Sequence, residues 1–250
     1  MKIQIPKTFM GEPIEGASER YLKGQKTSPP SVPSVTLPAP ARNLTDPENY
    51  LILPGRSQGS YAYPDLLVAK DRSHPGKNWN DCHAELHKEN FSMLTIRQFV
   101  DFISELKSGK IYNGQGTKIS QTQIDALLED ILTQREPYRA EWLDADFKLV
   151  NKILHINYNH RTLNGQLTPQ KSEPLEKCLM EDSYAELLGS TNAQGLPTKK
   201  AKSGLYFYFP RSDNNSVAGF WADSDWVFLY CNWGPAYSDS GLGVRRAREK

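Results

Sequence analysis

FWADSDWVFLYCNWGPAYSDSGLGVR, residues 220–245, holds three of the five tryptophans of the chain together with Phe220, Phe228, Tyr230 and Tyr237. Asp, Ser, Asn and Gly fill the spaces between them. From Ser203 to Arg248 there is no Lys, Glu, Gln or Met. Side chains on a strand point alternately to opposite faces. Ala218, Phe220, Ala222 and Ser224 therefore share one face, and Gly219, Trp221, Asp223 and Asp225 the other. WVFLYCN reads as a second strand, with Leu229 and Cys231 inward and Phe228, Tyr230 and Asn232 outward. Trp226 falls at the junction, where parity groups it with Phe220. Gly234-Pro235 turns the chain, which leaves Trp233, Tyr237 and Asp239 on a loop before a last strand, LGVRRAR.

Upstream, LYFYF (Leu205–Phe209) is rich in strand formers. Tyr50–Lys70 combines apolar runs with turn residues, as short strands do. Two helices are expected between these regions. In Thr95–Ser108, Ile96, Phe99, Val100, Phe102, Ile103 and Leu106 recur at helical spacing, with Ser108-Gly109 as the stop. In Ser120–Gln134, Ile124, Leu127, Leu128, Ile131 and Leu132 share a face, and Ser120 with Gln123 forms a capping box. EWLDADFKLVNKILHIN reads as a short helix followed by a strand, and Asn164-Gly165 as a tight turn. Pro169–Lys202 is mostly polar. The order points to an α+β domain in which two helices pack on an antiparallel sheet. Five prolines in Ser28–Arg42 mark an extended linker. Residues 1–45 are expected to be an arm, and residues 46–250 the domain.

The chain has 250 residues, 30 Lys+Arg against 29 Asp+Glu, a net charge of +1 and three cysteines. Such a balance offers no basic field for nucleic acid or anionic lipid. No apolar run reaches the length of a membrane span, and MKIQIPKTFM lacks the apolar core of a secretory signal. The expected location is cytoplasmic, or on a virion or cell surface reached by another route. Cys82, Cys178 and Cys231 are widely separated and odd in number, which argues against a disulfide framework.

The segment VAGFWADSDWVFLYCNWGPAYSDSGLGVRRARE resembles the variable region of diversity-generating retroelement variable proteins, most of all those of archaea and archaeal viruses. The resemblance rests on V-A-x-F-x-A-x-S, L-x-C, G-P-x-Y and L-G-V-R. It implies a C-type lectin-type fold, related to formylglycine-generating enzymes, with a variable region over about residues 204–245. It also implies copying of a template with mutation at adenines. Codons such as AAC, randomised at their first two bases, cannot yield Lys, Glu, Gln or Met, the residues missing here. Trp221, Trp226 and Trp233 require a template codon ending in G, or are invariant.

The same composition suits recognition. Tyr and Trp give wide amphipathic contact with few rotatable bonds, and Ser, Asn, Asp and Gly give compact hydrogen-bonding groups, as in antibody loops. The expected ligand-binding residues are Gly219, Trp221, Asp223, Asp225, Trp226, Phe228, Tyr230, Asn232, Trp233, Tyr237 and Asp239. The expected function is non-enzymatic display of a diversified surface to a macromolecular ligand, a protein or a cell-surface component. The alternatives are a formylglycine-generating-type enzyme, which a converged cysteine pair would favour, and a metal-dependent enzyme.

NDCHAELHKEN places His83 and His87 four residues apart, half of a zinc site that His155 and His160 could complete. HAELH misplaces the glutamate of H-E-x-x-H, and the segment reads as polar loop before a helix. Trp79-Asn80-Asp81 matches a triplet of calcium-dependent lectins but stands far from the last strands, and no carboxylate cluster at ligand spacing accompanies it. No metal and no cofactor are assigned. No phosphate-binding or dinucleotide glycine pattern is present.

Overall fold

The computed structural model describes residues 46–58 and 61–250, together with two dipeptide strands near the N-terminus. The chain divides into two compact units, residues 1–43 and 44–250. In the first, β1 (Thr8–Phe9) pairs antiparallel with β2 (Glu12–Pro13). The proline-rich linker expected over Ser28–Arg42 lies outside the described residues.

The second unit is α+β. It opens with β3 (Tyr50–Leu53), β4 (Arg56–Gln58), β5 (Tyr61–Tyr63) and β6 (Leu66–Ser73). Then come α1 (Trp79–Lys88), β7 (Ser92–Met93), α2 (Ile96–Ser108), β8 (Tyr112–Asn113) and α3 (Gln121–Leu132). The remainder is strand: β9 (Arg139–Val150), β10 (Ile153–Leu163), β11 (Gln166–Pro174), β12 (Ser183–Ala185), β13 (Leu205–Tyr208), β14 (Ser216–Ala222), β15 (Val227–Trp233) and β16 (Leu242–Glu249).

The two anticipated helices form where their caps direct. Thr95 with Gln98 and Ser120 with Gln123 make reciprocal capping boxes, which satisfy backbone N–H groups left free in a first turn. Gly109, at φ 68°, closes α2 in the left-handed conformation that costs glycine least. α1 was not anticipated, because its segment reads as polar. Asn78 caps it by accepting from Asp81 N at 2.9 Å. Trp79, Cys82, His83 and Leu86 are buried at i, i+3, i+4 and i+7. This is a complete helical stripe, hidden in the sequence because one member is an imidazole.

Between residues 141 and 157 the expectation of a short helix followed by a strand holds only for its second half: the strand forms as β10, but the expected helix is strand as well. The segment is the β9–β10 hairpin, turned by Asn151 and Lys152 at φ 50° and 67°. Buried charge disguised it: Arg139, Glu141, Asp144 and Asp146 interrupt what would otherwise read as an apolar strand. The Asn164-Gly165 turn is as expected, at φ 51° and 78°, joining β10 to β11.

The main sheet runs in the order β12-β13-β15-β14-β9-β16-β6-β3-β8. It is mixed rather than purely antiparallel. The tight β14–β15 hairpin sends β15 back between β14 and β13, which makes it parallel to β13. β16 enters between β9 and β6, parallel to β9. Along its other edge β9 carries β14, while this edge passes from β16 (Ala140–Trp142) to β10 (Asp146–Val150). At the split, Asp144 N donates to Leu94 O at 2.8 Å and Leu143 O accepts from Trp79 Nε1 at 2.9 Å.

Both faces of the sheet carry apolar side chains. On one, Leu143, Phe147, Phe207, Phe220, Leu229 and Cys231 pack with Phe99, Phe102, Ile103 and Leu106 of α2 and Ile124 and Ile131 of α3. On the other, Ala140, Trp142, Val217, Leu242 and Val244 meet Trp79, Cys82 and Leu86 of α1. α1 packs on β7, β10, β11 and β16. The rings of β12, β13, β15 and β14 occupy the rest of this second face.

Candidate functional site

Strand register places these rings together. Residues opposite each other in neighbouring strands project to the same side. Tyr184 faces Tyr206, Tyr206 faces Phe228, Tyr208 faces Tyr230, and Phe228 faces Trp221. The rings touch in sequence. Tyr184 meets Tyr206 at 4.8 Å between centroids, Tyr208 stacks on Tyr230 at 4.5 Å, and Tyr230 stacks on Trp233 at 4.7 Å. Trp233 meets Trp221 at 4.8 Å and Tyr237 at 5.3 Å, and Trp221 stacks on Tyr138 at 3.8 Å. Aromatic pairs at such separations add to what area burial alone gives.

A β-bulge makes the centre of this face. Gly219 pairs with Tyr230 but Val217 pairs with Trp233, so β15 has one residue more than β14 over this interval. A bulge of this kind shifts side-chain parity. Tyr230 and Trp233, three apart, consequently share a face. Gly219 makes room beneath them: a Cβ there would lie 3.1 Å from two ring carbons of Trp233.

The expected site residues distribute unevenly over this geometry. Trp221, Tyr230 and Trp233 are half-buried in the aromatic face, and Trp226 and Tyr237 are exposed at its ends, 38% and 42%. Trp226 belongs to the turn rather than to a strand and lies against Tyr184 at 5.1 Å, so it does not join Phe220 in the core. Phe228 is on the outward face as alternation requires, yet only 8% exposed, because Tyr206, Tyr208 and Tyr230 cover it. Gly219 is buried and contributes clearance rather than contact. Asp223 accepts from the backbone N of Asp225 and Trp226 at 2.9 and 3.0 Å, and so shapes the β14–β15 turn. Asp239 accepts from Gly241 N at 2.9 Å in the next loop. Asp225 is exposed and Asn232 half-buried.

Sequence reading missed Tyr138, Tyr184, Tyr206 and Tyr208. For the last two the signal was present, since LYFYF alternates with both tyrosines outward and Leu205 and Phe207 buried. Burial among its neighbours pushes the Tyr230 hydroxyl upward, so it stays protonated. Trp221 Nε1 is buried and donates to nothing among the described residues. Tyr230 and Trp221 thus bring uncharged polar groups to the face, with the carboxylates of Asp223 and Asp239 nearby.

The three cysteines are free and buried. Burial pushes Cys82 up to about 12 and Cys178 up to about 11. Cys231 is raised well above the ordinary thiol range by burial and, secondarily, by nearby Cys178. Nucleophilic sulfur chemistry needs the thiolate, which this environment disfavours.

The structure gathers three of the four histidines weighed as ligands. His83 and His87 lie on α1, and His160 on β10. The ring centroids of His83 and His160 are 5.4 Å apart, and those of His83 and His87 are 5.6 Å apart. His155, also on β10, instead lies 3.4 Å from Ser172 Oγ. Asp144, at the split in the sheet, accepts from His160 N at 3.1 Å and lies 2.5 Å from His160 Nδ1. Burial pulls His83 down to about 3, so its ring is neutral. Burial also pulls on His160, but hydrogen bonds to Asp144 and Asp146 outweigh it and raise this ring to about 9.

No family model, no curated protein and no solved structure matches the chain.

Proposed function

We propose that the protein is a non-enzymatic binding protein whose C-terminal strands present a diversified surface to a macromolecular ligand, in the manner of diversity-generating retroelement variable proteins on a C-type lectin-type scaffold. The observation that supports this most is the aromatic face itself: Tyr208, Trp221, Phe228, Tyr230, Trp233 and Tyr237 form one contiguous set on one side of the sheet. Large contiguous apolar patches are uncommon on monomers and often mark interaction sites. Rings already held by their neighbours lose little rotamer freedom on docking, the property that favours Tyr and Trp in paratopes. The alternation that turns Phe220, Leu229 and Cys231 into the core lets the outward positions change without disturbing it.

The reading is tested in the encoding DNA. A near-copy of codons 217–245, differing only where the copy has adenine and accompanied by a reverse-transcriptase gene, is the expected result. Sequencing of related isolates is expected to place substitutions at 221, 223, 225, 226, 228, 230, 232, 233, 237 and 239, and to spare 218, 220, 222, 229 and 231. Variation spread evenly over both sets, with no such copy, overturns the reading.

The enzymatic alternatives have two observations of their own, the proximity of Cys178 to Cys231 and the gathering of His83, Asp144 and His160. Burial holds both thiols protonated, so the cysteines do not displace the first reading, and the histidine cluster leaves the binding role of the aromatic face unchanged.

A further inference from the structure

We propose that His83, Asp144 and His160 form a binding site for a divalent transition ion of the zinc type, on the side of β9 away from β14. Among the described residues their donor atoms converge within 4.8 Å of one another, and all three side chains are buried. His83 Nε2 lies 3.5 Å from Asp144 Oδ1. Two ligands of a tetrahedral ion with bonds near 2.0–2.1 Å are about 3.3 Å apart, so this pair already spans the edge of such a site. His160 Nδ1 is closer, at 2.5 Å from the same oxygen; an entering ion takes the place of the proton shared there, which is released to solvent, and the direct contact opens. Two imidazoles and a carboxylate are a donor set that suits zinc and similar borderline ions.

The strongest indication is what His83 lacks. Its residue is 0% exposed, yet neither ring nitrogen makes a hydrogen bond within the described structure. Buried polar atoms are nearly always partnered, and an orphan needs an explanation. A bound ion supplies one. His87 offers a further nitrogen: its Nδ1 is 2.7 Å from Thr162 Oγ1, and its Nε2 is buried without a partner. Metal-ligating imidazoles are normally held by a second contact. Asp146 Oδ1, 3.3 Å from His160 Nε2, occupies such a position. Trp79 walls the cluster edge-on, 4.3 Å from His83 and 5.0 Å from His160, with its Nε1 fixed on Leu143 O. A cleft of about 410 Å³, lined by Asp144 and His160 among others, provides a route in.

The test is titration of the chelator-treated full-length chain with Co²⁺ alone. The expected result is one equivalent bound, with the visible absorption of a low-coordinate site, displaced by Zn²⁺, and a rise in Tm with Zn²⁺. His83→Gln and Asp144→Asn are each expected to weaken binding by about 100-fold or more, while His155→Gln leaves it unchanged. A folded wild-type chain with neither the Co²⁺ absorption nor a Zn²⁺-dependent rise in Tm overturns the proposal. So does equal loss of binding in His155→Gln and His83→Gln. Should His83→Gln or Asp144→Asn fail to fold, the wild-type titration decides by itself.

Discussion

The rings of Tyr230 and Trp233 are stacked 4.7 Å apart with their planes 19° from parallel, although an even number of residues separates same-face positions on a regular strand. The bulge in β15 makes the stack, and Gly219 across the sheet leaves room for it. Gly219→Val is expected to drive Trp233 out of place and to destabilise the fold by roughly 1–3 kcal/mol, the usual cost of overpacking. Chemical denaturation and the tryptophan emission spectrum report the two effects.

Truncation on the two faces of β14 and β15 is expected to differ in kind. Phe220→Ala removes a ring that is 3% exposed and packed on Phe99, at a cost of about 3–5 kcal/mol. Tyr230→Ala and Trp233→Ala remove half-exposed rings and are expected to cost clearly less. Denaturation midpoints for the three variants check the order. Equal costs would mean that the aromatic face is ordinary interior.

Glu141 is fully buried between Arg139, at 2.5 Å, and Arg245, at 3.1 Å. Burial alone would raise its pKa, but the two guanidiniums outweigh burial and hold the carboxyl at about 2. A depressed carboxyl stabilises the fold at pH above its unfolded value near 4.5 and loses that contribution as pH falls toward 2. Glu141→Gln is expected to flatten the stability profile across that window. At neutral pH it is expected to cost about 3–5 kcal/mol, because it strands buried cations. Thermal unfolding between pH 2 and 7 measures both.

Thr95→Ala is expected to cost more than Ser120→Ala. Each removes a cap worth about 1 kcal/mol. Thr95 Oγ1 also hydrogen-bonds the buried hydroxyl of Tyr61, and leaving that group unpaired adds about 1–3 kcal/mol. Urea titration of the two single variants gives the comparison.

Alkylation of the native chain with iodoacetamide at pH 8 is expected to be slow at all three cysteines, since each is buried with a raised thiol pKa. Mass spectrometry should show full labelling only after denaturation. Rapid native labelling of Cys178 or Cys231 would speak for the enzymatic alternative.

Period and capping made α2 and α3 readable within a residue or two, because their apolar stripes contain no polar member. Alternation likewise separated Phe220, Ala222, Leu229 and Cys231 from Trp221, Phe228 and Tyr230. α2 also buries Arg97, Gln98 and Asp101, but beside its apolar positions rather than in place of them; elements whose pattern is itself interrupted by buried polar groups were opaque. α1 buries His83, and β9 buries Arg139, Glu141 and Asp144, so each looked more exposed in one dimension than it is in three. Partners for those groups come from distant strands, and no local pattern announces them. The same holds for the aromatic face: Tyr184 and Tyr138 join it only through pairings between strands far apart in the chain. Register, too, was hidden, since nothing local marks the extra residue that turns Trp233 toward Tyr230.

The place of β16 has a consequence for biosynthesis. It fills the slot between β9 and β6, and Arg245 within it completes the charge cluster around Glu141. A nascent chain that has emerged only as far as residue 241 therefore leaves the middle of its sheet open, with backbone groups of two strands awaiting a partner. A reading-frame error anywhere in the aromatic segment would therefore remove both the pairings of β16 and the Arg245 contact to Glu141, and leave the sheet unclosed.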